Sequence, residues 1–511
     1  MTSPDTGLAR PIAVGRPQLE PAIRAGALLV LVAILGLIAW HIALKARAVS
    51  GIGVVYTVVV SSYVLTRFTL AAAYRTPKDA GIEPEVAIIV PAFNEGEAVA
   101  RTIHACLSLD YPREKLQIVV VNDGSSDDTW EHMTNAAAMY PDGSVRCVDL
   151  GSNQGKRAAM TAGIRSTTAE IMVFVDSDSM PERDGVRKLV QIFARPKVGA
   201  GSGLTMVRNA NVNALTKMQQ ARYYISFQLL KTAESVLGAV TCNPGCFSAY
   251  RREAVLPLLP KWEHQMWWGT ECTFGDDRAL TNMVLRSGWH SRYHDGAVAW
   301  TDVPERYHKF FRQQLRWKKS WLREGPKLLG HMWRTRPLAF PALAIQTIAG
   351  LMSPFVMTYN LIIHSAATGV PPILYPIAMY LIACSYGLLY RGQRADGLWK
   401  WAIVGTFFYI AFSPQLVWAA IRVRDTSWGT RAATAVPPTL PASADAGTFP
   451  IEEQISCRTY ALGSRASSDS IGPPSPAGSR PSSSAPSPSP LLRRASRSRR
   501  YTPRHRRSPS R

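Results

Sequence analysis

The sequence predicts an α/β domain with a mostly parallel sheet, inserted between membrane-spanning helices and followed by a disordered tail. Three observations carry this reading. Between Arg75 and Thr301, short apolar runs alternate with helical stretches, the pattern of a parallel sheet layered by helices. Long apolar runs with almost no charge stand before and after that region. Residues 464–490 then hold eleven Ser and seven Pro, and 491–511 hold nine Arg and no acid.

Taken in order, 1–24 form a short basic N-terminal segment and 25–74 a hairpin of two spans, Ala25–Leu44 and Ile52–Tyr74. The first span has one His and no charge over twenty residues, enough to cross a hydrocarbon core of roughly 30 Å. The second carries a single Arg67, placed to snorkel or to line a polar path. Arg10, Arg16 and Arg24 precede the hairpin and Arg75 and Lys78 follow it, which puts both ends of the hairpin and residues 75–337 in the cytoplasm by the positive-inside rule. Residues 302–337 are strongly basic with aromatics at helical spacing, as in helices lying in a membrane surface. Residues 338–425 contain three further apolar stretches, Leu338–His364, Pro372–Tyr390 and Leu398–Ile421. The last is interrupted by Ser413-Pro414, where a helix can break. Residues 426–511 complete the chain with a Trp-Gly-Thr-Arg segment and the tail.

Composition excludes several classes. The formal charge of +22 in 511 residues is concentrated in 305–336, at +8, and in the tail, so the body is nearly neutral. Seven Cys without a CxxC pair argue against a disulfide scaffold or a structural zinc site. A hydrophobic content of 47% excludes disorder of the whole chain. The Arg-rich tail has no interleaved aromatics apart from Tyr501, so nucleic acid is not an expected partner.

Within the α/β region the expected strands are Val86–Val90, Ile118–Val121, Val145–Leu150 and Ile171–Val175, with helices near 95–108, 155–166 and 183–194. Ligands of open α/β sheets bind beyond the carboxyl ends of the strands. Three strand ends carry polar groups there: Pro91-Ala92-Phe93-Asn94-Glu95, Asn122-Asp123-Gly124, and Asp176-Ser177-Asp178. Any one of them alone reads as a turn or helix cap. Together they read as a site, because two carboxylates at i, i+2 can face one hard cation and a diphosphate. Lys156 opens a helix, where an ammonium suits an anion or is simply solvated. Gly269–Arg278 ends in Gly-Asp276-Asp277-Arg278, whose acids could also complement a helix dipole. Gln313-x-x-Arg316-Trp317 lies in the basic stretch, and membrane anchoring alone gives no reason for that spacing.

In this order, PAFNE, NDG, GKR, DSD, GDDR and QQLRW between membrane stretches resemble the processive, inverting family-two glycosyltransferases that make and export polysaccharide. The resemblance covers about residues 25–431, and 269–282, 313–324 and 426–431 are most similar to hyaluronan synthases. Cys242-Asn-Pro-Gly-Cys246 departs from the Ser-Gly-Pro segment of those enzymes.

The resemblance implies a multi-pass enzyme of the cell membrane. It would polymerise UDP-N-acetylglucosamine and UDP-glucuronate into a hyaluronan-type chain and extrude it across the bilayer. The alternative is a single-donor synthase of chitin oligosaccharide or poly-N-acetylglucosamine. It further implies Mg²⁺ or Mn²⁺ on Asp176 and Asp178. Pro91, Phe93, Glu95, Asp123, Lys156, Asp176, Arg278, Gln313 and Arg316 would bind the nucleotide-sugar, with Asp123 on the uridine. Asp277 would act as general base with Asp276 beside it, and Trp317 would stack on the growing acceptor chain. A lipid-linked sugar transferase would share the donor half but lack Gln313–Trp317. A glycosidase would not need a nucleotide clamp.

Overall fold

The computed structural model describes residues 51–140, 142–369 and 374–424, together with isolated helical positions at 28, 35, 36 and 39. Apart from those positions, the first expected span lies outside the described residues, as do the 426–431 segment and the tail.

One eight-stranded sheet organises the middle of the chain. Its strands are β1 (Val86–Ala92), β2 (Leu116–Asn122), β3 (Val145–Asp149), β4 (Ile171–Phe174), β5 (Ser179–Pro181), β6 (Val198–Val207), β7 (Ser248–Arg251) and β10 (His290–Thr301), in the order β3-β2-β1-β4-β7-β6-β10-β5. A separate hairpin pairs β8 (Met266–Trp267) with β9 (Thr270–Glu271). The β3-β2-β1-β4 half is parallel throughout, as the sequence pattern predicts. β7 runs antiparallel to both β4 and β6, and β5 folds back against β10. β1, β4 and β6 are buried along their whole lengths, which is why they read as unbroken apolar runs rather than alternating ones.

Helices cover both faces of the parallel half. The Ala98–Leu107 helix buries Val99, Ile103, Cys106 and Leu107, an i, i+4, i+7, i+8 stripe that joins Val86, Ile88 and Val90 on one face. The Lys156–Arg165 helix buries Ala159, Met160 and Ile164 against Ile89, Val119 and Val121 on the other. The expected 183–194 helix is an α-helix over Gly185–Val190 that tightens into a 3₁₀ turn over Gln191–Ala194. The fourth strand stops at Phe174, so Asp176-Ser177-Asp178 forms the turn into β5.

Of the apolar stretches, one makes a continuous helix long and apolar enough to span a bilayer among the described residues, Phe340–Thr368. A second candidate is the pair Trp399–Ala411 and Gln415–Ile421, bent by 43° at the break. The bend falls where Ser413-Pro414 predicts it, since Pro414 starts the second helix and cannot donate back into the first. The basic helix supplies polar groups at this break: Lys318 Nζ donates to the carbonyl of Phe412 at 2.5 Å, and Gln415 Nε2 donates to the carbonyl of Phe311 at 2.8 Å. The Gly51–Ala73 and Leu374–Gln393 helices do not meet the same length and hydropathy criteria. The expectation of a domain inserted between several full spans is therefore met only in part.

Residues 302–337 show a feature that the sequence did not indicate. They form a single helix, Tyr307–Thr335, and its buried face includes Lys319, Ser320, Arg323 and Glu324. A helix lying only in a membrane surface would bury its apolar residues and expose its charges. This one turns a charged face into the protein, for a reason that the site makes plain.

Candidate functional site

The site is assembled at the carboxyl ends of β1, β2 and β4, and each loop there is held by its neighbour. Asn94, at φ 52°, leaves β1 in the left-handed region. Its N–H donates to Ser125 Oγ at 3.1 Å, and its Oδ1 accepts from the N–H of Ser126 at 2.9 Å. Glu95 accepts from Ser177 Oγ at 2.7 Å. The loops after β1 and β2 and the turn after β4 therefore form one connected rim. Pro91 lies within β1 and Phe93 directly follows it.

Asp123 is buried at the end of β2. Its carboxylate accepts from the N–H of Gln154 at 2.8 Å and of Gly155 at 3.0 Å, fixing the loop that precedes Lys156. Burial pushes this carboxyl up to about 6, although the two N–H groups act to lower it. A carboxyl raised in the folded state favours folding at low pH and loses that contribution as pH rises through the folded value. Thermal stability in detergent is therefore expected to contain a component that falls between about pH 4 and pH 6. Asp123→Asn should remove that component, and an unchanged slope in the variant would refute the assignment.

Lys156 begins the next helix and pairs directly with Asp176. Burial acts to lower its pKa, but Asp176, Asp276 and Asp277 together raise it, so the ammonium stays charged. Asp178 Oδ1 accepts from the hydroxyls of Ser179 at 3.3 Å and Thr301 at 3.4 Å. Gly245 closes over this group. An added Cβ there would lie 2.9 Å from Asp176 Oδ1 and 3.1 Å from Lys156 Nζ, so Cys242–Cys246 lies against the site rather than beside it.

The two acids that open the Asp276–Arg286 helix separate in role. Asp276 is buried and accepts from Arg157 Nε at 2.6 Å, while Arg157 NH1 also donates to the Trp262 carbonyl at 2.9 Å. Removing one partner of such a buried pair costs about 3–5 kcal/mol, so Asp276 holds the helix start in place. Asp277 is half-buried; Oδ1 accepts from the N–H of Arg278 at 2.7 Å and Oδ2 accepts from Cys242 Sγ at 3.3 Å. Arg278 makes no side-chain hydrogen bond or ion pair among the described residues. It lines a pocket with Thr241, Asn282, Trp321, Glu324 and Gln346. Gln346 accepts from the buried Arg67, which also lies 3.9 Å from Glu234. Arg67 thus stands at the end of a polar path leading from Arg278 into the apolar helices.

The charged face of the Tyr307–Thr335 helix grips the loop before Asp276. Arg323 NH2 donates to the Phe274 carbonyl at 2.5 Å, and Gly275, at φ 78°, leaves no room for a Cβ beside Ser320. Glu324 accepts from Arg323 Nε at 3.0 Å and Gln265 Nε2 at 2.9 Å, and its backbone carbonyl accepts from Asn282 Nδ2 at 3.1 Å. The sequence assigns no role to Arg157, Arg323 and Glu324, and marks Cys242 and Gly245 only as part of a segment that departs from hyaluronan synthases. Each meets its partner across a long separation in the chain. Lys156-Arg157 adjacency, the run Ser320–Glu324 and the unusual Cys242–Cys246 segment were the local signals.

The Gln-x-x-Arg-Trp residues lie on the first half of this helix. Gln313 Oε1 is buried without a hydrogen-bond partner among the described residues, and Arg316 is half-buried. Trp317 is 44% exposed, its ring 6.3 Å from that of Tyr223. Tyr223 is half-buried, and its phenol is raised first by desolvation, then by Cys246 and Tyr409, with Asp178 and Asp176 adding least.

With this geometry in view, comparison with known proteins is informative. The family described as glycosyltransferase like family 2 matches residues 84–320. An N-acetylglucosaminyltransferase of Rhizobium meliloti is 34% identical over 319 residues, 61% of this chain and 73% of the relative. One from Azorhizobium caulinodans is 29% identical over 382 residues, 71% of this chain and 95% of the relative. A hyaluronan synthase of Streptococcus pyogenes is 26% identical over 395 residues, 74% of this chain and 90% of the relative. Hyaluronan synthases and N-acetylglucosaminyltransferases thus both stand among the relatives. Among solved structures, a mannosyltransferase from Pyrobaculum calidifontis, in complex with GDP-mannose and Mn²⁺, superposes with a TM-score of 0.52 at 22% identity. It covers 73% of this chain and 98% of that one, a likeness of fold.

Proposed function

Because the chain belongs to glycosyltransferase family 2, we propose that it is a membrane-embedded, processive, inverting enzyme that transfers N-acetylglucosamine from a UDP donor onto a growing polysaccharide. The observation that carries this reading is the surroundings of Lys156. Its ammonium pairs with Asp176 and is held charged also by Asp276 and Asp277, so donor-side and acceptor-side carboxylates converge on one cation.

In this reading Asp123 and the Pro91–Glu95 loop bind the uridine, while Lys156 and Arg316 face phosphate charge. Asp277 takes the proton of the acceptor hydroxyl as that oxygen attacks the anomeric carbon from the face opposite the departing UDP. Asp176 and Asp178 offer hard oxygen donors, and the Lys156 ammonium on Asp176 marks a place that already accepts positive charge. Two protein carboxylates leave coordination positions for diphosphate oxygens and water, so the residues fit Mg²⁺ or Mn²⁺. Such an ion would neutralise the leaving diphosphate. Arg278 faces the pocket toward the apolar helices, which suits contact with the acceptor better than the phosphate role expected from the sequence. Several spans in the plasma membrane, with 75–301 on the cytoplasmic side, would let the product leave through the bilayer.

The second reading, alternation with UDP-glucuronate to make hyaluronan, is favoured by the hyaluronan synthase relative. Membranes given UDP-N-acetylglucosamine with and without UDP-glucuronate decide between the two. Polymer from the first donor alone gives a chitin-like product. Polymer that needs both donors and is cut by a specific hyaluronidase gives hyaluronan. No UDP release under either condition would refute both.

Trp317 provides a separate test of the acceptor side. Trp317→Ala is expected to lower polymer formation by about tenfold or more, and Trp317→Phe by less, because a ring keeps the stacking face but loses the N–H donor. Trp321 lines the Arg278 pocket and so cannot serve as a neutral comparison. Trp333 can: it is 50% exposed and donates only to its own helix at Gly330. Equal, mild losses at Trp317 and Trp333, at unchanged membrane levels, would reduce Trp317 to an anchor.

A further inference from the structure

The Cys242–Cys246 segment departs from the pattern of hyaluronan synthases, and the structure shows where its first residue points. The segment is tied down on three sides. Lys231 Nζ donates to the Cys242 carbonyl, the N–H of Asn243 donates to Thr281 Oγ1 at 3.2 Å, and Asn243 Nδ2 donates to Ser291 Oγ at 2.9 Å. Thr281 in turn donates to the backbone carbonyl of Asp277 at 2.7 Å, so the segment and the acid-bearing helix share an anchor. From this fixed backbone, Cys242 Sγ reaches Asp277 Oδ2 at 3.3 Å. The opposite oxygen, Oδ1, accepts from the N–H of Arg278 at 2.7 Å. Each carboxylate oxygen thus has one donor and keeps one lone pair.

We propose that Cys242 is a positioning residue for the transfer reaction, its thiol donating a hydrogen bond that fixes the rotation of the Asp277 carboxylate and sets its basicity. The inference rests on the reading of Asp277 as the base. A carboxylate held by one donor can turn about its Cβ–Cγ bond and lose the acceptor hydroxyl. A second donor on the other oxygen stops that rotation. The choice of sulfur matters as well. A thiol is a weaker donor than a hydroxyl, so it orients the carboxylate while withdrawing less of its basicity. The thiol also keeps its proton, since burial pushes it up to about 12, with Asp277 adding to the effect. It is therefore a donor over the whole range in which such an enzyme is assayed. The other groups facing Asp277 are Lys156 from the Lys156–Arg165 helix, Tyr250 from β7, and Arg278 on its own helix, with Asp276 next in sequence. None of these donates to Oδ2, which leaves that contact to Cys242.

The test is the pH dependence of kcat for the full-length enzyme in membranes, with wild type, Cys242→Ala and Cys242→Ser measured against UDP-N-acetylglucosamine. Cys242→Ala is expected to lower kcat by about three- to tenfold and to move its acid limb upward by about half a pH unit, with donor KM unchanged. Cys242→Ser should recover most of the rate and move the limb below that of wild type, because a hydroxyl is the stronger donor. A role in packing alone would reduce the amount of folded enzyme without moving the limb, and serine would not rescue it. Acid limbs that coincide in all three enzymes, or a donor KM that changes along with kcat, would overturn the proposal. Asp277→Asn measured in parallel keeps the two readings apart. If that variant still transfers sugar, the base assignment has failed. If it is inactive while Cys242→Ala keeps the wild-type profile, only the role of Cys242 has failed.

Discussion

Asp277→Asn is expected to cut sugar transfer by about a hundredfold or more while leaving UDP binding intact, the scale of a positioned general base. The amide can still accept from the N–H of Arg278 and can sit at the same helix start, so the substitution disturbs geometry little. What it loses is the ability to take a proton. The neighbouring Asp276 cannot replace it, because that carboxylate is buried and committed to Arg157. Polymer formation from labelled donor measures the loss, and calorimetry with UDP in detergent measures the affinity. A parallel fall in UDP affinity would place Asp277 in the donor pocket instead. Asp276→Asn is a different experiment: it strands a buried guanidinium, so its effect should be seen in stability as well as in turnover.

The contrast between these two adjacent acids shows how far a sequence can be read. The fold was legible because its signal is local. Strands β1, β2 and β4 are continuous apolar runs, and the helices between them bury stripes at helical spacing. The acids at the strand ends could also be read, since a parallel sheet dictates which residues reach its carboxyl edge. Ser413-Pro414 marked the helix break for the same reason, a backbone donor that proline lacks.

What the sequence hid were pairings between distant segments. Nothing near Arg157 announces that it will neutralise Asp276, 119 residues away. Nothing near Cys242 indicates that a loop 35 residues before Asp277 will bring a thiol to its carboxylate. The inward face of the basic helix was hidden for a related reason. Its Lys and Arg suggested a membrane surface, yet Arg323 and Lys319 lie against Phe274, and Glu324 is enclosed by Arg323, Gln265 and Asn282. Charge alone does not say which cations meet lipid and which meet a buried carboxylate. The helix that carries Trp317 also holds the loop that presents Asp277, so in the proposed mechanism one element would position both acceptor and base.

Asp178→Asn should abolish polymer formation with the fold preserved. In the structure one oxygen of Asp178 accepts from two hydroxyls, Ser179 Oγ and Thr301 Oγ1, and an asparagine Oδ1 can accept the same pair. Expression and membrane insertion are therefore expected at wild-type levels. The substitution replaces the second carboxylate oxygen by an amide, a poor ligand for a hard divalent cation. Asp176 cannot compensate alone, because Lys156 already holds one of its two carboxylate oxygens. The variant should also lose UDP-dependent binding of Mn²⁺, read by electron paramagnetic resonance on purified protein and independent of turnover. Wild-type membranes treated with EDTA should fall silent and recover on addition of Mg²⁺ or Mn²⁺, whereas Asp178→Asn membranes should not recover. Full activity in the variant, or wild-type activity indifferent to EDTA, would remove the metal from Asp176 and Asp178 and leave Lys156 as the principal counter-charge for the leaving diphosphate.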